Sequence, residues 1–297
     1  MPDRDWIIIF ILGIGWGATF FFNEMILRDV GPVTVSFLRV ALAAVACWIY
    51  LFATRQFKPV RAPMLAALAL FGVLMFAFPF AIYPLGQQYV ASGIAGIVNA
   101  LTPVMVVIVS HFWPGGERAT PLKSLGVLAG FAGIVLLTLP AMAPGQETLL
   151  FGTLVIVLAP ISYAFAMNYF RRFHTLGAAV ITAWAFTFAT LALIPVMLFT
   201  EGVPRGLQAS TIGSTVFLGV VLTAIAFLAA FTILPRAGAT KTSTVTFIAP
   251  ISAILIGKLV LDEVLTAAHF AGMAAIFLGL LLIDGRLFQR RRAEKLN

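Results

Sequence analysis

Charge is scarce in this sequence. Only 10% of its 297 residues are Asp, Glu, Lys or Arg, whereas 61% are hydrophobic and the mean hydropathy is +1.05. A soluble domain carries about 25% charged residues, so this supply of polar side chains cannot clothe a water-facing surface. The chain belongs in a bilayer. The single cysteine, Cys47, lies in an apolar run and offers neither a disulfide nor a metal site. His111, His174 and His269 are far apart and share no ligand spacing. No phosphate-binding glycine loop and no recognisable nucleophile motif occurs. The expectation is therefore no cofactor, no metal and no enzyme activity, and ATP does not drive the chain. The net charge of +8 reads as loop charge on one side of a membrane, not as a nucleic-acid signal.

What the sequence has is apolar runs. A spanning helix needs about 20 mainly apolar residues. Ten such runs start near Trp6, Val33, Met64, Ala91, Leu122, Leu149, Ala178, Thr211, Ala239 and Thr266. They are too long and too evenly apolar for barrel strands, which alternate, so the fold is expected to be an all-α integral membrane bundle. MPDRDWIIIF carries no small-residue cleavage site and reads as the start of the first span, not a removed signal. With the N-terminus inside, fifteen of the 19 basic residues fall on the inner side: Arg4, Arg55, Lys58, Arg61, Arg118, Lys123, Arg171, Arg172, Arg236, Lys241 and five in the tail. Arg28, Arg205 and Lys258 fall outside, and Arg39 lies within a span. That bias places both termini in the cytoplasm.

The chain also repeats itself. The stretch from Tyr89 and the stretch from Arg236 share an apolar helix with small residues, a proline, an acid and a glycine-spaced helix. Pro103 falls on Pro250; with one residue of slip, Glu117 falls on Glu263, Gly126 on Gly272 and Gly133 on Gly279. Five spans per half is an odd number, so the second half must enter the membrane upside down. The expected organisation is ten transmembrane helices as two inverted five-helix repeats, 1–145 and 146–285, with a basic cytoplasmic tail at 286–297.

The residues carry a family resemblance as well. The stretch GIGWGATFFFNEMILRDVGPVTVSFLRVALAAV from Gly13, with Trp16, Gly17 and Arg39, resembles the opening of the bacterial drug/metabolite transporter superfamily. The block from Tyr89 to Leu139 resembles its repeat signature, and the second half matches it again. Within the superfamily the chain is most similar to the ten-helix amino-acid exporters, including the aromatic amino-acid exporter branch. The resemblance implies export of small metabolites across the bacterial inner membrane. One departure stands out: Ala185 occupies the place where Arg39 would map. The halves are therefore not chemically equivalent.

Candidate chemistry lies inside the spans. Ser92, Ala95, Gly96, Asn99 and Pro103 share one helical face, as do Ala239, Thr242, Ser243, Thr246 and Pro250. Such stripes could pack on another helix or line a cavity; Asn99, at mid-span, leans to the cavity, and Thr246 is its counterpart. Pro103 and Pro250 each remove a backbone donor and are candidate hinges. Trp16, Tyr83, Tyr163 and Trp184 sit near mid-depth, where indole and phenol need polar partners. Pro79 and Pro84 break up the third span, and Gln87 and Gln88 near its end read as solvated. Arg39 is the sharpest feature, because a charge within a span points to a partner or to water. An ion pair with Glu24 or Asp29 is the structural role; contact with a substrate carboxylate is the functional one. Glu117 and Glu263 read as loop or helix-cap residues. The GxxxG pairs Gly13/Gly17 and Gly126/Gly130 read as packing within the bundle, so the chain is expected to work as a monomer.

These features favour a secondary transporter exporting amino acids or related small metabolites by alternating access. A multidrug or organic-cation exporter of the same fold is the alternative, but it calls for a deep acid, and few lie deep in these spans. A channel would show a polar ring or filter loop. The expected partners are lipid and a small-molecule substrate.

Overall fold

The computed structural model describes residues 3–232 and 245–284. Ala239, Lys241, Thr242, Ser243, Arg236 and the basic tail lie outside the described residues. The described chain is helical, with no strand. The helices are α1 (Asp3–Leu27), α2 (Pro32–Ala53), α3 (Ala62–Gln87), α4 (Ser92–Phe112), α5 (Pro121–Thr138), α6 (Glu147–Phe170), α7 (Ala178–Thr200), α8 (Ala209–Thr232), α9 (Val245–Leu261) and α10 (Ala267–Asp284). Nine are long and apolar enough to cross a bilayer, and α9 is described over a shorter 17-residue stretch.

The packing repeats. Helix α1 lies on α9 as α6 lies on α4; α2 lies on α8 as α7 lies on α3. The pairs α2–α7, α4–α9 and α5–α10 join equivalent helices of the two halves. Glycines make the last pair close. A Cβ at Gly126 would come within 2.6 Å of the Gly279 carbonyl oxygen, and one at Gly272 within 2.7 Å of the Gly133 carbonyl oxygen. Gly126 and Gly272 are equivalent in the repeat, as are Gly133 and Gly279, so the two contacts are exchanged by a twofold rotation. This is the inverted five-plus-five arrangement that an odd number of spans dictates.

Prolines disturb the helices locally, and hydroxyls repair the disturbance. A proline lacks the N–H that bonds the carbonyl four residues back. Pro84 deprives Phe80, whose carbonyl accepts from Ser36 Oγ of α2. Pro103 deprives Asn99, whose carbonyl accepts from Thr102 Oγ1 at 2.8 Å; α4 is interrupted there between Asn99 and Thr102. Residues Val73–Ala77 form a π-helical turn in which Phe78 N–H bonds Val73 O. The same step from Pro79 leaves the Leu74 carbonyl bare, and Ser162 Oγ of α6 donates to it at 2.7 Å. Pro250 behaves differently from its counterpart: α9 runs unbroken through it.

The glycine stripe of α4 resolves into packing for its first turns. Gly96 faces Ala253 and Gly93 faces Ile254 of α9, while Ala95 is fully buried. The pair Gly13/Gly17 packs on α9 against Ile248 and Ser252, as expected for contacts within the bundle.

Candidate functional site

Six helices bring an aromatic and polar cluster together in the bundle. Arg39 is 4% exposed and lies about two turns, about 10 Å, from the start of α2. Its guanidinium carbon sits 3.6 Å over the Phe80 ring of α3. Its Nε donates to Thr223 Oγ1 of α8 at 2.8 Å. Thr223 is free to accept because its own proton goes to the Leu218 carbonyl at 2.7 Å, five residues back within a π-helical stretch, Phe217–Ile225. That bulge carries the hydroxyl under the guanidinium. Around it stand Phe227 of α8, 6.4 Å from Phe80 and 5.2 Å from Trp16 of α1 between ring centres. Tyr83, 3% exposed, packs edge-on against Phe20 at 5.2 Å and lies 6.4 Å from Tyr163 of α6. Tyr83 donates to Asn99 Oδ1 of α4 at 2.7 Å.

Trp16, Arg39, Tyr83, Asn99 and Tyr163 therefore belong to one cluster built by both halves. Trp184 does not join it. It packs on Trp48 at 5.2 Å and Phe188 at 5.7 Å, where α7 meets α2. Thr246 stands one residue into the described part of α9. Pro103 sits just past the break in α4, below Asn99.

Arg39 makes no ion pair among the described residues, which corrects the expectation of a partnership with Glu24 or Asp29. The ionisable groups acting on it are the phenols of Tyr163 and Tyr83. Asp29 is engaged elsewhere, accepting from Thr211 Oγ1 and from Gln208 N at the start of α8. Glu24 lines a recess of about 340 Å³ at one end of the bundle, with Arg28, Gln88 and Glu263. The solvated reading of Gln87 is also corrected. It is 4% exposed, accepts from Asn23 Nδ2 at 2.9 Å and donates to the Phe20 carbonyl at 2.8 Å, so it ties α1 to α3. Gln88 is exposed, as expected.

Carboxylates cap helix starts across the two halves at that same end. Glu263 accepts from Ser92 N at 2.6 Å and Gly93 N at 2.9 Å. Glu201 accepts from Val33 N and Thr34 N, each at 2.8 Å. With Asp29 on α8, three links join the loops α1–α2, α7–α8 and α9–α10 to helices of the opposite half. Glu263 and Glu201 satisfy N–H donors that a helix start leaves unpaired, Asp29 takes the Thr211 hydroxyl and the Gln208 N–H just before α8, and all three place negative charge at the positive end of a helix dipole. Glu263 is a cap, as read, but of a helix in the other repeat. Glu117 instead pairs with Lys123 beside it.

Ser36, Phe80, Thr223 and Phe227 were not singled out by sequence reasoning. A hydroxyl in an apolar span was the available signal, but its partner carbonyl is set by tertiary packing. The cluster holds no cysteine or histidine, and no metal-ligand group forms among the described residues.

Known proteins agree with this architecture. A transporter of Archaeoglobus fulgidus is 26% identical over 94% of this chain and 98% of its own. PecM of Dickeya dadantii is 26% identical over 94% and 92%. A protein named as a probable terminal-alkyne amino-acid exporter of Streptantibioticus cattleyicolor is 26% identical over 94% and 93%. A crystal structure at 21% identity superposes with a TM-score of 0.67, covering 98% of this chain and all of that one, and so shares the fold. The EamA-like transporter family matches residues 5–139 and again 150–284; the chain, a multi-pass membrane transporter and not an enzyme, belongs to that family.

Proposed function

We propose that this transporter exports amino acids or related small metabolites by alternating access, through a site formed by Trp16, Arg39, Tyr83, Asn99 and Tyr163. The observation that carries the reading is Arg39: a buried guanidinium without a carboxylate among the described residues, held flat by Phe80 and Thr223, at the meeting of helices from both halves. Such a group is costly to bury unless a ligand or water completes it. The relative from Streptantibioticus cattleyicolor, named for amino-acid export, supports the substrate class. The alternative, an organic-cation exporter, needs an acid in the cluster, and none stands there among the described residues.

At the end carrying Asp29, Glu201 and Glu263, hydrogen bonds tie the two halves together. Moving the site to that side requires breaking them. By the positive-inside bias that end is the outer one and the termini lie in the cytoplasm of a bacterial cell; the glycine pairs Gly13/Gly17 and Gly126/Gly130 pack within the bundle, which supports a monomer. Pro103 serves as a hinge because α4 is already broken there; Pro250, in an unbroken helix, is a weaker one. Purified protein in liposomes tests the reading. Saturable flux that amino acids compete for supports it, and ion conductance or absence of any solute flux overturns it.

A further inference from the structure

We infer that the site selects its substrate by carboxylate alone and does not read an amino group, so that des-amino aromatic acids bind at least as well as the matching amino acids. The inference rests on the carrier reading above and narrows its substrate class.

The cluster's charge and hydrogen-bond inventory is one-sided. Arg39 brings one positive charge, and no acid near it offsets that charge among the described residues. Its Nε is used by Thr223. That bond fixes the plane of the guanidinium over Phe80 and leaves the two terminal nitrogens as a fork, the geometry that suits a carboxylate. Trp16 Nε1, another donor, is buried without a partner, and its ring leans on Phe227 beside Phe80. An indole nitrogen can only donate. The acceptors of Asn99 and Phe80 are already engaged: Asn99 Oδ1 takes the Tyr83 proton at 2.7 Å, and the Asn99 and Phe80 carbonyls freed by proline take Thr102 and Ser36; the unpartnered acceptor Asn23 Oδ1 lies one turn along α1 from Phe20, on the residue that bonds Gln87.

An ammonium would therefore enter a site with a like charge, where the acceptors of Asn99 and Phe80 are engaged. A carboxylate would meet a fork and a free donor. It would also bring the net charge of the loaded site to zero, which lowers the cost of carrying it through a low-dielectric interior. The buried rings of Phe20, Phe80, Tyr83 and Phe227 are the apolar neighbours that a flat body on the anion would meet.

The test uses three probes with the same ring and chain: 3-phenylpropionate, L-phenylalanine and phenethylamine. Binding to the purified full chain is read by tryptophan fluorescence. The expected order places phenylpropionate equal to or tighter than phenylalanine, with phenethylamine weaker by about 10- to 100-fold, the range of a charge-assisted hydrogen bond. Arg39→Gln should erase the preference for the acids by the same factor. Thr223→Val keeps the charge and loses the plane, and should weaken both acids several-fold; it guards against a folding defect in the first variant. Phenylalanine binding at least tenfold tighter than phenylpropionate overturns the inference while leaving amino-acid transport intact. Tightest binding by the amine overturns the inference and favours the cation exporter. Binding of none of the three also overturns it, and the liposome flux then decides separately whether the carrier reading stands.

Discussion

Replacing Glu263 by glutamine should loosen one end of the carrier. The carboxylate reaches from the α9–α10 loop to the start of α4 and accepts from Ser92 N at 2.6 Å and Gly93 N at 2.9 Å. Charge-assisted bonds of this kind are worth about 1.5–3 kcal/mol each. Glutamine keeps one neutral acceptor and gives up the charge at the helix start, itself worth about 0.3–1 kcal/mol. A net loss of about 2 kcal/mol follows, or about 30-fold in the equilibrium between closed and open forms at this end. Cys47 is the single cysteine and is buried, so Cys47→Ala provides a thiol-free background. Ala95, fully buried one turn beyond the capped residues, then takes the reporter as Ala95→Cys. A membrane-impermeant maleimide should label that thiol about 30-fold faster with Glu263→Gln, and Glu263→Asp should fall between. A rate unchanged within twofold would refute the reasoning, because it would show that this link does not hold the end shut.

Other predictions concern the frame of the site. Gly272→Val places side-chain atoms against the Gly133 carbonyl and Leu137; overpacking of about 1–3 kcal/mol should appear as a lower thermal midpoint in detergent. Thr102→Val strips the donor from the Asn99 carbonyl and should cost about 1 kcal/mol of stability, whereas Pro103→Ala restores an N–H there and should slow transport more than it weakens binding. Tyr83→Phe frees Asn99 Oδ1 as an acceptor and should improve amine binding relative to the parent, measured with the same fluorescence titration.

Much of this molecule is written in its hydropathy. Apart from α9, whose first described residue is Val245, the helix starts fall within three residues of the apolar runs, because each span needs about 20 apolar residues. The repeat was legible through Pro103/Pro250 and Gly126/Gly272, since backbone chemistry and close crossings both demand particular residue types. The cluster was half legible. Arg39 and the aromatics stand out as misfits in an apolar span, and that signal is independent of packing. Their partners are not. Periodicity fixes which residues share a face, but not the register between helices, so Thr223 under Arg39 or Ser36 on Phe80 could not be read. Gln87 looked solvated because it lies at a helix end, yet Asn23 and the Phe20 carbonyl draw it inward. Trp184 shared mid-depth with the site by count of residues, but its face of α7 turns to Trp48. Glu24 and Asp29 seemed partners for Arg39 by nearness along the chain, whereas the start of α8 claims Asp29.

Counterflow in proteoliposomes tests most directly the central claim of one site shared by two halves and opened to either side in turn. Vesicles loaded with unlabelled amino acid or des-amino acid should take up labelled substrate faster than empty vesicles, with a saturable rate that Arg39→Gln abolishes. Uptake that rises linearly with concentration and ignores the solute on the far side would contradict it.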